Sequence, residues 1–120
     1  MSPHIDQSLI LEIVGGQPGE ARRILVMLFD MVREQMVILQ QGAADGDRQA
    51  IADTAHQLSG ATATCGLATI GEGFHLLETH APLAPIEDLQ QRIAVIVDQL
   101  SEAEAEGSAL FPSDEAMETP

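Results

Sequence analysis

The sequence predicts an all-α protein, an antiparallel up-down-up-down four-helix bundle with a short additional N-terminal helix. With three Phe, no Tyr and no Trp in 120 residues, its core must be aliphatic, whereas strands are enriched in aromatic and β-branched residues. Apolar residues recur at spacings of three and four along the long segments, without the alternation typical of strands. Four long helices joined by short turns must run antiparallel to their neighbours.

Turn signals bound the first two predicted helices. The first spans about residues 6–14, with Asp6 as its N-cap and two consecutive glycines as its stop. The second begins at Pro18, a residue suited to a first helical turn, and ends near Gln41, before a turn made by Gly42 and the "DGD" at residues 45–47. Its apolar stripe consists of Leu25, Leu28, Val32, Met36 and Leu39, and further apolar residues broaden it toward a second neighbour: Ile24, Met27, Met31 and Ile38.

Three more helices are predicted at about residues 47–64, 67–79 and 85–100. Gly66 separates the first two of these, and the sequence "APLAP" at residues 81–85 forms the turn before the last. Beyond Ser101 the apolar pattern stops and acidic residues dominate, the first of which can continue the last helix. We therefore expect a bundle domain over residues 1–106 and an acidic, disordered tail over residues 107–120.

Composition excludes several classes of function. The net charge is −14 and every basic residue is Arg, which argues against nucleic acid or an anionic membrane as a partner. The longest apolar run, Ile24–Phe29, is too short to span a bilayer, and no secretory signal precedes the first helix. A single cysteine, Cys65, excludes an internal disulfide and a multi-cysteine metal site, so we expect a cytoplasmic, reducing setting.

The stretch "TAHQLSGATATCG", residues 54–66, surrounds one histidine with small side chains. On a helical wheel His56 lies roughly 140–160° from Ile51 and Leu58, so it faces solvent if those two residues face the core. Its neighbours on that face are Ala52, Asp53, Ser59, Gly60 and Ala63. Such a surface would let another protein's backbone approach the imidazole; the alternative is a surface histidine that happens to have small neighbours.

The segment "AHQLSGATATCGLATIGEGFHLLE", residues 55–78, resembles the signature of histidine-containing phosphotransfer (HPt) domains. In that family an Ala-His-x-Leu-Lys-Gly core precedes a Gly, a Leu and a later Leu-Glu. The resemblance continues upstream in "IVGGQPGEARRILVMLFD" and "GDRQAIADTAH" and leaves only the C-terminal tail uncovered. The residues that match in type and spacing are Ala55, His56, Leu58, Gly60, Gly66, Leu67, Leu77 and Glu78.

This resemblance implies a phosphocarrier of a multi-step phosphorelay rather than an enzyme. His56 would accept a phosphoryl group from the aspartyl phosphate of one receiver domain, of a hybrid histidine kinase or a response regulator, and pass it to another receiver's aspartate. The receiver would supply the Mg²⁺ and most of the catalysis, so we expect no cofactor or metal in this chain. We also expect the chain to be a monomer. The expected docking residues are Ala52, Asp53, Gln57, Ser59, Gly60 and Ala63.

One position departs from the family pattern. The family commonly has a lysine three residues after the histidine, where this chain has Ser59, whose hydroxyl offers a weaker contact to a phosphoryl oxygen. Arg48 lies two turns before His56 on nearly the same face, but helical side chains lean toward the N-terminus, so its guanidinium should point away. We expect Ser59→Lys to raise the rate or extent of transfer. The competing interpretation is a degenerate module that docks without accepting phosphate.

Other ionisable residues give weaker signals. His75 and His80 are five apart, a poor helical spacing for a shared metal ion, and are expected at the surface. If the fourth helix runs beside the third, Gly71 and His75 would border the docking face. Glu72 and Glu78 are expected to form salt bridges or face solvent, and Asp53 either bonds the His56 ring or is solvated.

Overall fold

The computed structural model describes residues 4–112 and confirms the predicted helical bundle. Within these residues there are five helices and no strand. They are α1 (Gln7–Ile13), α2 (Pro18–Asp45), α3 (Arg48–Thr64), α4 (Ala68–His80) and α5 (Ile86–Leu110). None of the helices in this described range combines the length and hydropathy needed to cross a membrane.

The four long helices form a closed ring in which α2 packs on α3, α3 on α4, α4 on α5 and α5 on α2. The short α1 covers one end of the ring, as expected. Its N-cap Asp6 accepts a hydrogen bond from the Leu9 amide (3.0 Å), while the Asp6 amide donates to the carbonyl of Gly66 (2.8 Å). Gly66 ends α3 with a φ of 87°, a conformation that L side chains rarely adopt, so the α3–α4 turn depends on glycine.

The core is aliphatic, as the composition predicts. The five residues of the predicted α2 stripe are all buried, together with the apolar faces of the other long helices. As predicted, α2 contacts more than one neighbour, since it packs on both α3 and α5. Of the four residues that broaden the stripe, however, Met27 is 65% exposed and Ile38 is 43% exposed. Those two side chains therefore face solvent rather than fill the core.

Helix α2 runs four residues further than predicted, and the turn to α3 is correspondingly shorter. Gly42 lies inside α2 and is buried against α3, where a Cβ would come 3.1 Å from the Ile51 side chain. Its lack of a side chain thus serves helix packing, not chain reversal. The reversal occurs at Gly46, whose φ of 70° is left-handed, and Asp47 then caps α3 by accepting from the Ala50 amide.

Helix α5 continues beyond both the predicted end of its pattern and the predicted domain boundary at residue 106. It reaches Leu110, and the next residue, Phe111, is 2% exposed. Arg22 of α2 donates to the Phe111 carbonyl (3.0 Å), and buried His4 lies 2.8 Å from a carboxylate oxygen of Glu102. Residues 107–112 are thus part of the bundle; the rest of the predicted tail, residues 113–120, lies outside the described residues.

Candidate functional site: the exposed histidine of α3

The position of the site is set by the close antiparallel packing of α3 and α4. A Cβ added at Gly71 would lie 3.1 Å from Thr62 Oγ1 and 3.2 Å from the Ala63 amide nitrogen, so glycine is what allows the two backbones to approach. One helix thus crosses the other with Gly71 opposite Ala63. Seven residues further along α4 is Glu78, and seven residues back along α3 is His56, so the same register brings these two side chains together.

His56 stands on the outside of this helix pair. Its side chain is 74% exposed, as the helical wheel predicts, while Ile51 and Leu58 on the opposite side of α3 are buried. The Nδ1 atom lies 2.9 Å from Oε2 of Glu78, whose side chain is 31% exposed. The imidazole is therefore held by a half-buried carboxylate from the neighbouring helix and is still open to solvent.

The Glu78 contact determines which ring nitrogen is available for chemistry. An ionised carboxylate only accepts hydrogen bonds, so Nδ1 carries the proton and donates it to Glu78. In the neutral imidazole this leaves Nε2 with a lone pair. A carboxylate that orients an imidazole in this way also stabilises positive charge that develops on the ring. The arrangement can thus present Nε2 as a nucleophile at the protein surface.

The surface beside His56 carries small side chains, as the sequence suggests. A Cβ added at Gly60, one turn after His56, would meet no atom within 4 Å, so nothing inside the bundle requires glycine there. Among the other expected docking residues, Asp53, Gln57 and Ala63 are exposed, whereas Ala52 and Ser59 are half-buried. All six thus surround the imidazole on α3, but they differ in how much surface they offer.

Two polar neighbours of His56 on α3 have partners of their own. Asp53 Oδ1 accepts a hydrogen bond from Gln49 Nε2 (2.7 Å), and the His56 ring bonds Glu78 instead. Arg48 donates from Nη1 to the carbonyls of Ala81 (2.8 Å) and Ala84 (2.6 Å), in the turn after α4. The expectation that this guanidinium points away from the imidazole is confirmed.

Helix α4 contributes a second histidine to the site. His75 is 61% exposed, and its Nδ1 lies 4.0 Å from Oε1 of Glu78, so one carboxylate faces two imidazoles. Sequence reasoning expected Glu78 in a salt bridge or in solvent but did not pair it with His56. The spacing of 22 residues crosses a turn and two helices, and only the α3–α4 register reveals the pair.

The site is a surface rather than a cavity. A cleft of about 740 Å³ lies between α4 and α5, but its lining residues include neither His56 nor any other residue of α3. Within the described part of the chain, no group of three or more His, Cys, Asp or Glu side chains is arranged to hold a metal ion. The ionisable groups that the structure brings together at this surface are the exposed imidazoles of His56 and His75 and the Glu78 carboxylate between them.

A helical bundle with a solvent-exposed histidine on α3 is what the resemblance in the sequence implies. The family model described as "Hpt domain" matches residues 23–106, which include α3, α4 and most of α2 and α5. The chain belongs to the Hpt domain family. This confirms the resemblance seen in the sequence and assigns the chain to the phosphotransfer modules of phosphorelays.

Solved structures give the same result. The HPT domain of an Hpt sensor hybrid histidine kinase from Shewanella is similar with a TM-score of 0.69 and 25% identity, over 88% of this chain and 92% of that one. Histidine-containing phosphotransfer protein B from Pseudomonas aeruginosa PAO1 shares the fold with a TM-score of 0.63 and 20% identity, over 88% and 98% of the two chains. No curated protein matches the chain.

Proposed function

We propose that His56 accepts a phosphoryl group from the aspartyl phosphate of one receiver domain and donates it to the aspartate of another. The observation that carries this proposal is the exposed His56 ring with Nδ1 held 2.9 Å from the Glu78 carboxylate. The Hpt family match supports the same role. The protein is then a phosphocarrier, and its own residues supply the nucleophile and its orientation.

In the proposed step, the Nε2 lone pair of His56 attacks the phosphorus of the acyl phosphate. The N–P bond forms, the P–O bond to the donor's carboxylate breaks, and that carboxylate leaves with the electron pair. The Nδ1 proton stays on the ring, which becomes cationic, and the Glu78 carboxylate neutralises this charge at hydrogen-bond distance. Transfer to the next receiver is the reverse reaction with a different carboxylate.

The partner must bring the remaining catalytic groups. Phosphoryl transfer depends mainly on in-line positioning and on neutralising charge on the phosphoryl oxygens, and the family resemblance assigns the Mg²⁺ to the receiver domain. The carrier then needs a surface that a receiver can approach closely. Gly60 fits this need because a side chain there would project into open space beside the imidazole.

We infer that the partners are receivers of a hybrid histidine kinase or a response regulator, docking on the six small or polar residues of α3 that surround His56. The structure of a hybrid kinase's HPT domain among the similar proteins supports this class of partner. A monomeric carrier in a reducing cytoplasm remains part of the proposal, consistent with the free thiol of Cys65.

The test is transfer from a phosphorylated receiver. We expect incubation with a ³²P-labelled receiver and Mg²⁺ to label the chain with phosphate that is acid-labile and base-stable, as phosphohistidine is. His56→Gln should remove this label completely. His80→Gln is the matched control: it replaces another histidine on the neighbouring helix α4 and should leave labelling unchanged.

Two results would count against the proposal. Failure of several receivers to label the wild-type chain, combined with measurable binding to one of them, would favour the docking-only module, an interpretation prompted by Ser59. Label that persists in His56→Gln would move the phosphoacceptor to another residue. Circular dichroism of each variant shows whether the bundle is still folded.

A further inference from the structure

Phosphorylation of His56 would create a charge problem that the α3 surface does not solve. A phosphoryl group carries about −1.5 to −2 charges near neutral pH, and it would sit one ring away from the Glu78 carboxylate. The chain has no lysine. Four of its five arginines have partners away from His56. These pairings are Arg22 with Phe111, Arg23 with Glu20, Arg33 with Glu104, and Arg48 with the turn after α4. The fifth arginine, Arg92, lines the cleft between α4 and α5.

The α3–α4 register places a second imidazole at this point. Gly71 lies opposite Ala63, so His75, four residues further along α4, lies opposite Ser59, four residues back along α3. A basic side chain at position 59 would lie one turn from the phosphoacceptor, but this chain has a serine there. His75 is 61% exposed and its Nδ1 is 4.0 Å from Glu78 Oε1, which is beyond hydrogen-bond distance but within reach of electrostatic attraction.

We propose that protonated His75 is the positive charge that offsets the phosphoryl group on His56. This inference rests on the proposed function, because it concerns the phosphorylated state of that site. The role assigned to His75 is charge compensation across the helix pair, in place of a basic residue at Ser59. Under this proposal, the stability of phosphorylated His56 depends on pH through the charge of His75, a residue that does not itself accept phosphate.

The groups around His75 define the expected behaviour. On its own helix Glu78 lies 4.0 Å away and Glu72 is one turn earlier; across the interface the helix register places the uncharged Ser59 opposite it, and His56 shares the Glu78 carboxylate. Helix α5 packs on another side of α4, where a Cβ added at Gly73 would lie 3.2 Å from the Ile96 side chain. Adding a phosphoryl group therefore increases the negative charge around His75 and favours its protonated form.

The sign of the pH effect follows from linkage. A phosphorylated state that binds one more proton than the unphosphorylated state is favoured at low pH, and the advantage disappears as pH rises through the range in which imidazoles lose their charge. Because the charges are largely exposed, the effect is modest: about two- to fivefold in the equilibrium constant. Because the phosphoacceptor is also an imidazole, the measurement must be a ratio between variants.

The experiment measures the equilibrium constant for transfer from a receiver with a slowly hydrolysing aspartyl phosphate, between pH 6 and pH 8.5. We expect the ratio of wild type to His75→Gln to be about two to five at pH 6 and to approach one at pH 8.5. His75→Lys should keep the wild-type value at pH 6 and retain it at pH 8.5. Adding Ser59→Lys to His75→Gln should restore transfer at every pH.

Several outcomes would overturn the role of His75 and leave the proposed phosphotransfer function intact. A ratio that stays at one, or that is constant with pH, would assign His75 no charge role, and a ratio below one would mean that it competes with His56 for Glu78. Absence of any label on the wild-type chain would instead overturn the proposed function itself. The two failures are therefore distinguishable in the same set of samples.

Discussion

Gly60 and Gly71 lie on neighbouring helices, yet the bundle requires only one of them. At Gly71 an added Cβ would approach the Ala63 amide nitrogen to 3.2 Å, whereas at Gly60 it would meet nothing within 4 Å. A helix-interior glycine costs about 1 kcal/mol relative to alanine, and close packing accounts for that cost at Gly71 but not at Gly60. The face of α4 that packs on α3 is thus shaped by the fold, while the outer face of α3 calls for an explanation outside the chain.

The largest expected effect is the loss of stability in Gly71→Leu. The new side chain would have to separate α3 from α4, and overpacking of this kind costs up to about 3 kcal/mol. Urea unfolding followed by circular dichroism measures the change in the free energy of unfolding. Gly60→Leu is the matched control, with the same substitution on the partner helix and no expected loss.

Equal stability of the two leucine variants would break the comparison between the glycines. It would mean that α4 can shift away from α3 at no cost. The register that pairs Glu78 with His56 would then not be fixed by packing.

The second test concerns Glu78, which lies at the border between the packed and the exposed face. Carboxylates that orient a metal-binding imidazole typically contribute about 10- to 100-fold to affinity or activity, and we expect Glu78→Ala to slow phosphotransfer by a similar factor. Glu78→Gln should lose less, since its amide oxygen still accepts from Nδ1 of His56 but carries no charge. Single-turnover transfer from a labelled receiver measures both rates.

Glu72→Ala provides the control for this prediction. Glu72 is exposed on the same helix and lines the cleft toward α5, so its removal should leave the transfer rate within about twofold. A similar rate loss in both variants would point to the general charge of α4 rather than to the bond with His56. Unchanged transfer in Glu78→Ala would remove the orienting role altogether.

The sequence is most informative about features that depend on the geometry of a single helix. The exposure of His56 follows from its angle to Ile51 and Leu58 on the helix. The orientation of the Arg48 guanidinium away from His56 follows from the tilt of helical side chains toward the N-terminus. Both predictions are confirmed. The pairing of His56 with Glu78 requires the register between two helices. That register depends on the close contact at Gly71, which sequence spacing alone does not reveal.

The predicted end of α5 is wrong for a different reason. After Leu100 the three-four spacing continues through two small residues, Ala103 and Gly107, before the next large buried residue, Phe111. Small residues give little hydrophobic signal on their own. A Cβ added at Gly107 would lie 3.4–3.5 Å from Leu25, Ile5 and Phe29, which is ordinary van der Waals contact, so this position faces the core although it has no side chain.

The smallest expected effect returns to Gly60. Gly60→Ala should raise the free energy of unfolding by about 0.8 kcal/mol, because alanine is the better helix former and its methyl group meets no other atom. If the glycine serves a docking partner, this more stable variant should also transfer more slowly, and Gly60→Leu more slowly still. Urea unfolding and single-turnover transfer on the same preparations separate the two effects. A Gly60→Leu protein that is stable and transfers at the wild-type rate would show that no partner approaches this turn of α3, and the outer face would lose its explanation.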